Sequence, residues 1–214
     1  MSASHLEPFG ARAASRFIPR GEPAHTLALS LKGGRDEVVG FARALVGAQH
    51  IQIEGKRFPD DCTGLVTGVY AALGVSLLGE ARPGDNAVTA IYRFAQSHGR
   101  VYESGAPLPG DLVFFRETYD QNRDGRSNDG LTHVGIVEEA RADGTILVIH
   151  RVKRGVVRYH MNLNSPSKRR DPATGRVLND ALRATGPARR AVLTGQLFAA
   201  FGSLLPAAGM TATR

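Results

Sequence analysis

The residue best suited to covalent chemistry is Cys62, the single cysteine among 214 residues. It stands in the stretch FPDDCTGLV, directly after two aspartates. One cysteine excludes an internal disulfide and any zinc site built from several cysteines. The thiol is therefore either a small buried apolar side chain, as free cysteines often are, or a nucleophile.

The residues that follow Cys62 predict an amphipathic helix. Apolar side chains recur at helical spacing from Leu65 to Leu73, and Asp61 is suited to cap a helix that begins at Cys62. The unpaired N–H groups and the positive end of the dipole at a helix N-terminus favour a thiolate, which is the nucleophilic form. We therefore expect Cys62 to have a lowered thiol pKa.

A nucleophilic cysteine needs a base, usually histidine, that a third polar group orients. Of the seven histidines, His133 lies in the predicted strand THVGIV and His150 ends the predicted strand ILVIHR. An Asp-Gly turn signal at 143–144 predicts that these strands form a hairpin. Because side chains alternate along strands, the two imidazoles could meet, with His150 orienting His133. His160, one strand further along, is a lesser candidate.

The order of the predicted elements indicates an α+β fold, with helices first and antiparallel strands after. Residues 1–34 are punctuated by Pro and Gly and predict an irregular arm, 35–205 predict one domain, and 206–214 a tail. Asp36 is expected to cap the first helix, and residues 48–61 to form a loop. The apolar stretch RAVLTGQLFAAFGSLL is expected to pack back as a strand or a helix. The predicted helices extend to Val46, over 62–73 and over 87–98, and the predicted strands cover 112–115, 131–140, 145–151 and 155–161.

Four motifs in this order resemble the NlpC-type and CHAP cysteine peptidases: DCTGLV on a helix, then PGDLVFF, THVGIV and a strand ending in IHR. Those enzymes belong to the papain-like superfamily and cleave peptide or amide bonds in bacterial peptidoglycan. The resemblance covers residues 36–160. It implies a papain-like NlpC/CHAP fold, with N-terminal helices packed on a central antiparallel β-sheet.

The resemblance also implies residue roles: Cys62 as nucleophile, His133 as base and His150 as the orienting residue. Asp61 and Thr63 are implied to bind substrate. In relatives the aspartate beside the cysteine helps to grip a free amine of the stem peptide, and Thr63 keeps the hydroxyl of the commoner serine. Relatives usually carry a tyrosine and a Gly-Gly shortly before the Asp-Cys pair, and GAQHIQIEGKRFPDDC has neither. A preference for peptides with a free N-terminus is therefore not implied.

The segment DQNRDGRSNDG before His133 has the spacing of a calcium loop. Asp120, Asn122 and Asp124 alternate, as oxygen ligands do around a hard cation. The twelfth position lacks the glutamate of an EF-hand, and Asp129 could supply the missing oxygen. The alternative is a turn insertion rich in Asp, Asn and Gly. We expect no required cofactor and, if the loop binds calcium, a higher thermal stability.

Charge indicates an anionic partner. The net charge is +7, and from Arg151 onward 12 Lys and Arg stand against 2 Asp and Glu. The sequence favours peptidoglycan or another anionic cell-wall polymer, with a solvated basic face as the alternative. No Trp and no RNP-type aromatic pattern are present, so no specific nucleic-acid partner is expected.

The sequence also predicts where the protein works and its oligomeric state. The sequence contains no apolar run of about 20 residues, so no transmembrane segment is expected. We expect a monomer that works in the periplasm, in the cell envelope or outside the cell, although no signal peptide is visible.

The sequence leaves three functions open. The first is a cysteine hydrolase that cleaves peptidoglycan. The second keeps the fold but is a thiol acyltransferase, a deamidase or a secreted toxin acting on a substrate outside the wall. The third is a non-enzymatic binder of nucleic acid or membrane that is driven by charge.

Overall fold

The computed structural model describes residues 34–183 and 191–205. The predicted arm before residue 34 and the tail at 206–214 lie outside the described residues. Within them the helices are α1 (Arg35–Ala44), α2 (Cys62–Ala72), α3 (Ala87–His98) and the single turn α4 (Thr194–Leu197). Both predicted helices beyond the first, over 62–73 and 87–98, are therefore present to within a residue.

The strands of the described residues form one main sheet and two short hairpins. The main sheet has six antiparallel strands in the order β3-β10-β4-β5-β6-β7. The α+β class and the central antiparallel sheet are confirmed. The strands are β1 (Ile51–Ile53), β2 (Lys56–Phe58), β3 (Arg100–Tyr102), β4 (Leu112–Arg116), β5 (Leu131–Ala140), β6 (Thr145–Val152), β7 (Gly155–Asn162), β8 (Ala181–Arg183), β9 (Val192–Leu193) and β10 (Phe198–Ser203).

The sheet separates two apolar clusters. Leu112 and Phe114 of β4 belong to the larger cluster, which also contains the apolar faces of α1, α2 and α3. Val113 and Phe115 belong to the smaller cluster on the opposite face, together with Leu197 of α4. This is the alternation of a strand that is buried on both faces. It holds α2 against the sheet, and this fixes the position of its N-terminus.

Two glycines allow the close approaches that the site needs. A Cβ at Gly64, in the first turn of α2, would lie 1.9 Å from the carbonyl oxygen of Pro59. A Cβ at Gly135, in β5, would lie 2.7 Å from Val148 Cγ1 and 3.1 Å from the Cβ of His150. Real Cβ atoms do not make contacts as short as the first two, so larger residues would displace the loop before Cys62 or separate β5 from β6.

Two expectations are corrected. Helix α1 begins at Arg35 with Gly34 as N-cap, so Asp36 lies within the first turn and is not the cap. The stretch 48–61 is not simply a loop, because it contains the β1–β2 hairpin. Such three-residue strands leave too little alternation for a sequence pattern to show.

The C-terminal apolar stretch contains both of the expected kinds of element. Val192–Leu193 pairs with β8, one helical turn follows, and β10 then inserts between β3 and β4. A strand at the end of the chain therefore lies next to the PGDLVFF strand.

Candidate active site

The first turn of α2 holds Cys62. Asp61 caps this helix, because its Oδ1 accepts hydrogen bonds from Gly64 N at 2.8 Å and from Thr63 Oγ1 at 2.7 Å. The predicted cap is confirmed. The hydroxyl of Thr63 is thus engaged within the cap, one residue from the thiol.

A cavity of about 570 Å³ opens beside this turn. It lies between the first turns of α2 and α3, the residues after β4, the start of β5 and the end of β6. Cys62 and His133 both line it, and so do Asp61 and Thr63. The fold thus brings the predicted nucleophile, the predicted base and both predicted binding residues to one cavity.

His133 and His150 form a buried pair behind the cavity wall. His133 stands opposite Phe115 in the β4–β5 ladder, and its Nε2 lies 2.7 Å from Nδ1 of His150 on β6. The two rings are nearly perpendicular, at 84°. The predicted meeting of the two imidazoles is confirmed, whereas their roles in catalysis stay a prediction. His160 instead bonds to Asp180 at 3.0 Å.

The sulfur of Cys62 lies among backbone donors. Burial raises the pKa of the thiol to about 11, although the N–H group of Val134 and those of Cys62 and Thr63 favour the thiolate. The charge of Asp61 adds to the increase. Val134 is the next residue after His133, so the sulfur approaches β5 at the residue beside the predicted base.

Both imidazoles are held neutral. Burial lowers the pKa of His133 to about 4, and the charge of Asp61 opposes this only in part. Burial, followed by the charges of His133 and Arg154, lowers the pKa of His150 well below its ordinary value. Near neutral pH the site therefore contains a protonated thiol and two neutral rings.

The expected lowering of the thiol pKa is therefore wrong for this structure. The helix N-terminus acts in the expected direction, but the loss of hydration on burial outweighs it. Within 34–183 and 191–205, no hydrogen bond joins the Cys62 sulfur to the His133 ring.

In the loop proposed for calcium, side-chain oxygens accept hydrogen bonds from the loop's own N–H groups, while the buried Oδ2 of Asp129 has no partner. Asp120 accepts from the N–H groups of Asp124 and Gly125, at 3.2 Å and 2.8 Å, and Asn122 Oδ1 accepts from Asp124 N at 2.9 Å. Asp129 Oδ1 accepts from Asn122 N at 3.2 Å. In the described part of the chain, no three His, Cys, Asp or Glu side chains are grouped to hold a metal. Calcium binding stays a prediction.

The cavity has further walls that sequence reasoning missed. Tyr119 follows β4 and is 53% exposed. Arg151 comes from the end of β6, and Lys153 directly follows that strand. Asn86 caps α3 through Thr89 N at 2.8 Å and donates to the carbonyl of Leu131 at 2.9 Å. The last contact ties α3 to the strand that carries His133. A basic residue directly after a candidate histidine was the one signal available for Arg151.

Comparison with known proteins agrees with this geometry. The family model of the CHAP domain matches residues 53–151, which include Cys62, His133 and His150. The resemblance to the CHAP family is confirmed. The match spans the chain from β1 to the end of β6, which is a little under half of its length. No curated protein matches the chain significantly.

The CHAP match indicates the class of reaction. A CHAP domain implies a hydrolase of the peptidase or amidase kind, often one that acts on peptidoglycan. CHAP domains typically work outside the cell or on its wall. None of the helices that the structure describes has the length and apolar character needed to cross a membrane.

Proposed function

We propose that this CHAP-domain protein is a cysteine hydrolase that cleaves peptide or amide bonds in bacterial peptidoglycan. One observation carries the proposal: His133 lines the same cavity as Cys62 while its Nε2 contacts Nδ1 of the buried His150 at 2.7 Å. This arrangement supports Cys62 as the nucleophile, His133 as the base and His150 as the orienting group of an acyl transfer.

The first step removes the thiol proton. When His133 Nε2–H donates to His150 Nδ1, the other ring nitrogen of His133 keeps its lone pair and can accept the proton of Cys62. His150 therefore selects the tautomer that makes His133 a base. Since thiol and imidazole are both neutral at rest, proton transfer accompanies the attack of sulfur on the substrate carbonyl.

The second part of the reaction needs donors for the oxyanion. The N–H groups of Cys62 and Thr63 lie beside the sulfur, at the start of α2. We assign them to the oxygen of the tetrahedral intermediate, where fixed backbone donors stabilise developing charge. His133 then returns its proton to the leaving amine. A water that His133 deprotonates releases the acyl group from sulfur.

Charge supports a wall polymer as the substrate. Arg151 and Lys153 line the cavity, and the basic residues from Arg151 onward give that part of the chain a charge of +10. A positive surface raises the local concentration of an anionic polymer. We infer that a monomer works in the periplasm, in the cell envelope or outside the cell, where that polymer is found.

Purified sacculi provide the direct test. Incubation with the wild-type protein should release peptide fragments with new amine and carboxyl ends, which mass spectrometry identifies. The matched control is Cys62→Ala, which should release none. Intact sacculi together with acylation or deamidation of a protein substrate would favour the thiol acyltransferase, deamidase or toxin instead, and the missing tyrosine and Gly-Gly before Asp61 give that alternative its support.

Calcium binding by the loop at 120–130 is proposed separately. Backbone N–H groups now donate to oxygens of Asp120, Asn122 and Asp124, so a cation would have to replace those contacts. A melting scan with calcium and with chelator tests this directly. A higher melting temperature with calcium supports the site, and identical curves remove it.

A further inference from the structure

We propose that Arg151, with Lys153 beside it, binds a substrate carboxylate inside the cavity, next to the scissile bond. The inference rests on the proposed function for the location of that bond. It names a group that the substrate must carry, namely a free carboxylate rather than its carboxamide.

The first support is that Arg151 is a cation without a counter-ion. It is partly buried near the end of β6, and its Nη2 donates to the carbonyl of Gln49 at 3.0 Å. Its Nε is buried and has no hydrogen-bond partner. No ion pair within residues 34–183 and 191–205 includes Arg151 or Lys153. A charged donor in this position is costly unless an acceptor reaches it.

Several other arginines in the described residues have the carboxylate partner that Arg151 lacks. Arg43 and Arg158 both pair with the buried Glu138, and Arg93 pairs with Asp85 at 2.8 Å. Arg183 also has a buried Nε without a partner. However, its Nη1 has two acceptors, and it does not line the cavity. Arg151 is thus distinguished by its place on the cavity wall.

The acidic residues of the cavity do not neutralise Arg151. Asp60 accepts from His50 at 2.8 Å and from Arg57 at 3.1 Å, and these contacts with the N–H of Ile51 lower its pKa far below the ordinary range. Asp61 is committed to the cap of α2. In the described residues Asp60 is thus paired with Arg57, and Asp61 Oδ1 is engaged in the helix cap. Neither carboxylate forms an ion pair with Arg151 or Lys153.

A carboxylate is the group that satisfies this wall best. A guanidinium presents parallel donors that match the two oxygens of a carboxylate, and an amide offers only one neutral acceptor in their place. Lys153 adds a second positive charge on the same wall. Discrimination by charge-assisted hydrogen bonds should be about 10-fold to 100-fold in affinity.

The test measures binding separately from cleavage. The probes are two synthetic peptides that differ only in a glutamate carboxylate or its carboxamide beside the scissile amide. Calorimetric titration of Cys62→Ala protein should show tighter binding of the carboxylate peptide by about 10-fold or more. Adding Arg151→Gln should remove the preference, and adding Arg151→Lys should keep part of it. Adding Arg116→Gln, which removes the same charge from an exposed arginine outside the cavity, should leave the preference unchanged.

Equal affinity for the two peptides, or no binding of either, overturns the inference. A preference that survives Arg151→Gln also overturns it. If Arg151→Gln does not fold, the same titration is made with Lys153→Gln added to the Cys62→Ala protein. A reduced preference for the carboxylate peptide then supports the inference, and an unchanged preference contradicts it. Because sacculus cleavage is measured on its own, uncut sacculi would count against the proposed function, whereas unequal binding would still support the carboxylate site.

Discussion

Two buried polar clusters of this protein differ in how completely their atoms are paired. Around Asp111, which is 1% exposed, one carboxylate accepts from Arg35 at 2.8 Å, from Tyr102 at 2.5 Å and from Leu108 N at 2.9 Å. Arg35 also donates to Ser203 at 2.8 Å. This cluster ties α1 to β3 and to the end of β10.

The cluster beside the cavity is incomplete. His150 bonds to His133 through Nδ1, but its buried Nε2 has no partner, and neither has the buried Nε of Arg151. Burial moves the pKa of the thiol upward and that of both imidazoles downward. The Asp111 carboxylate thus has a partner at both oxygens, whereas the cluster beside the cavity keeps polar groups open. Under the proposed function, the open Nε of Arg151 is available to a substrate.

The largest effect expected is on turnover. Cys62→Ala should lower fragment release from sacculi roughly 10⁴-fold or more, because the acyl intermediate of the proposed mechanism forms on its sulfur. Initial rates measured by liquid chromatography would show this. Its melting temperature should stay close to that of the wild type. If Cys62→Ala kept more than a tenth of the wild-type rate, the cavity cluster would only hold the fold, as the Asp111 cluster does.

The next largest effect is on stability and comes from the Asp111 cluster. Asp111→Ala leaves the buried Arg35 guanidinium without its carboxylate, so the free energy of unfolding should fall by about 3–5 kcal/mol. Urea denaturation measures this. Glu139→Ala, which breaks the exposed pair with Arg141, is the matched control and should cost less than about 1 kcal/mol.

The activity of the Asp111→Ala protein tests whether the two clusters are separate in function. Below its melting temperature, the Asp111→Ala protein should keep the wild-type rate per folded molecule. A large loss of rate at full folding would mean that the two clusters are not separate in function.

A smaller effect should follow from His150. His150→Ala removes the acceptor that orients His133, and kcat should fall roughly 10-fold to 100-fold while KM changes little. His150→Asn offers a side-chain oxygen to His133 Nε2 and should recover part of the loss. Steady-state kinetics of the two variants would decide it, and equal rates in both would reject an orienting role.

The last pair of predictions concerns pH. Because the pKa of His133 is lowered to about 4, the base stays neutral and the rate should be flat from about pH 8 to about pH 5. The rate should fall only as the pH drops through about 4, where His133 takes up a proton. A pH–rate profile measures this limb. If the rate instead falls near the ordinary pKa of histidine, His133 is hydrated in the working enzyme.

The lowered pKa of His133 also predicts how stability varies with pH. Between the ordinary value of 6.5 and about 4, the unfolded chain binds a proton at His133 that the folded protein does not. Stability should therefore be highest above pH 6.5 and decrease as the pH falls toward 4, by on the order of 3 kcal/mol from this residue. A smaller decrease in His133→Asn would confirm the assignment.

Much of the site could be predicted from the sequence because its residues lie on long, regular elements. Asp61 and the apolar period after Cys62 predict the helix start, and alternation along β5 and β6 predicts that His133 and His150 meet. Arg151 could not be assigned in this way, because its place on the cavity wall depends on how the end of β6 faces α2. Likewise, β10 reaches β4 from the far end of the chain, and no local pattern specifies that pairing.

The thiol pKa shows a second limit of sequence reasoning. A helix N-terminus can be read from the residues around Cys62, and it predicts a lowered value. The degree of burial depends on packing between distant segments, and burial determines the sign here. Local patterns therefore predicted the helix N–H donors beside the sulfur, but neither the N–H of Val134 nor the solvent that the fold removes.

The most direct test of the account is whether Cys62 carries the acyl group during turnover. Wild-type protein would be mixed with purified wall peptides, quenched in acid within the first turnover, and analysed by mass spectrometry of the intact chain and of its Cys62 peptide. We predict a mass increase equal to the acyl fragment, located on Cys62 and absent in Cys62→Ala. Fragment release with no adduct on Cys62, or at an equal rate in Cys62→Ala, would contradict a thiol mechanism.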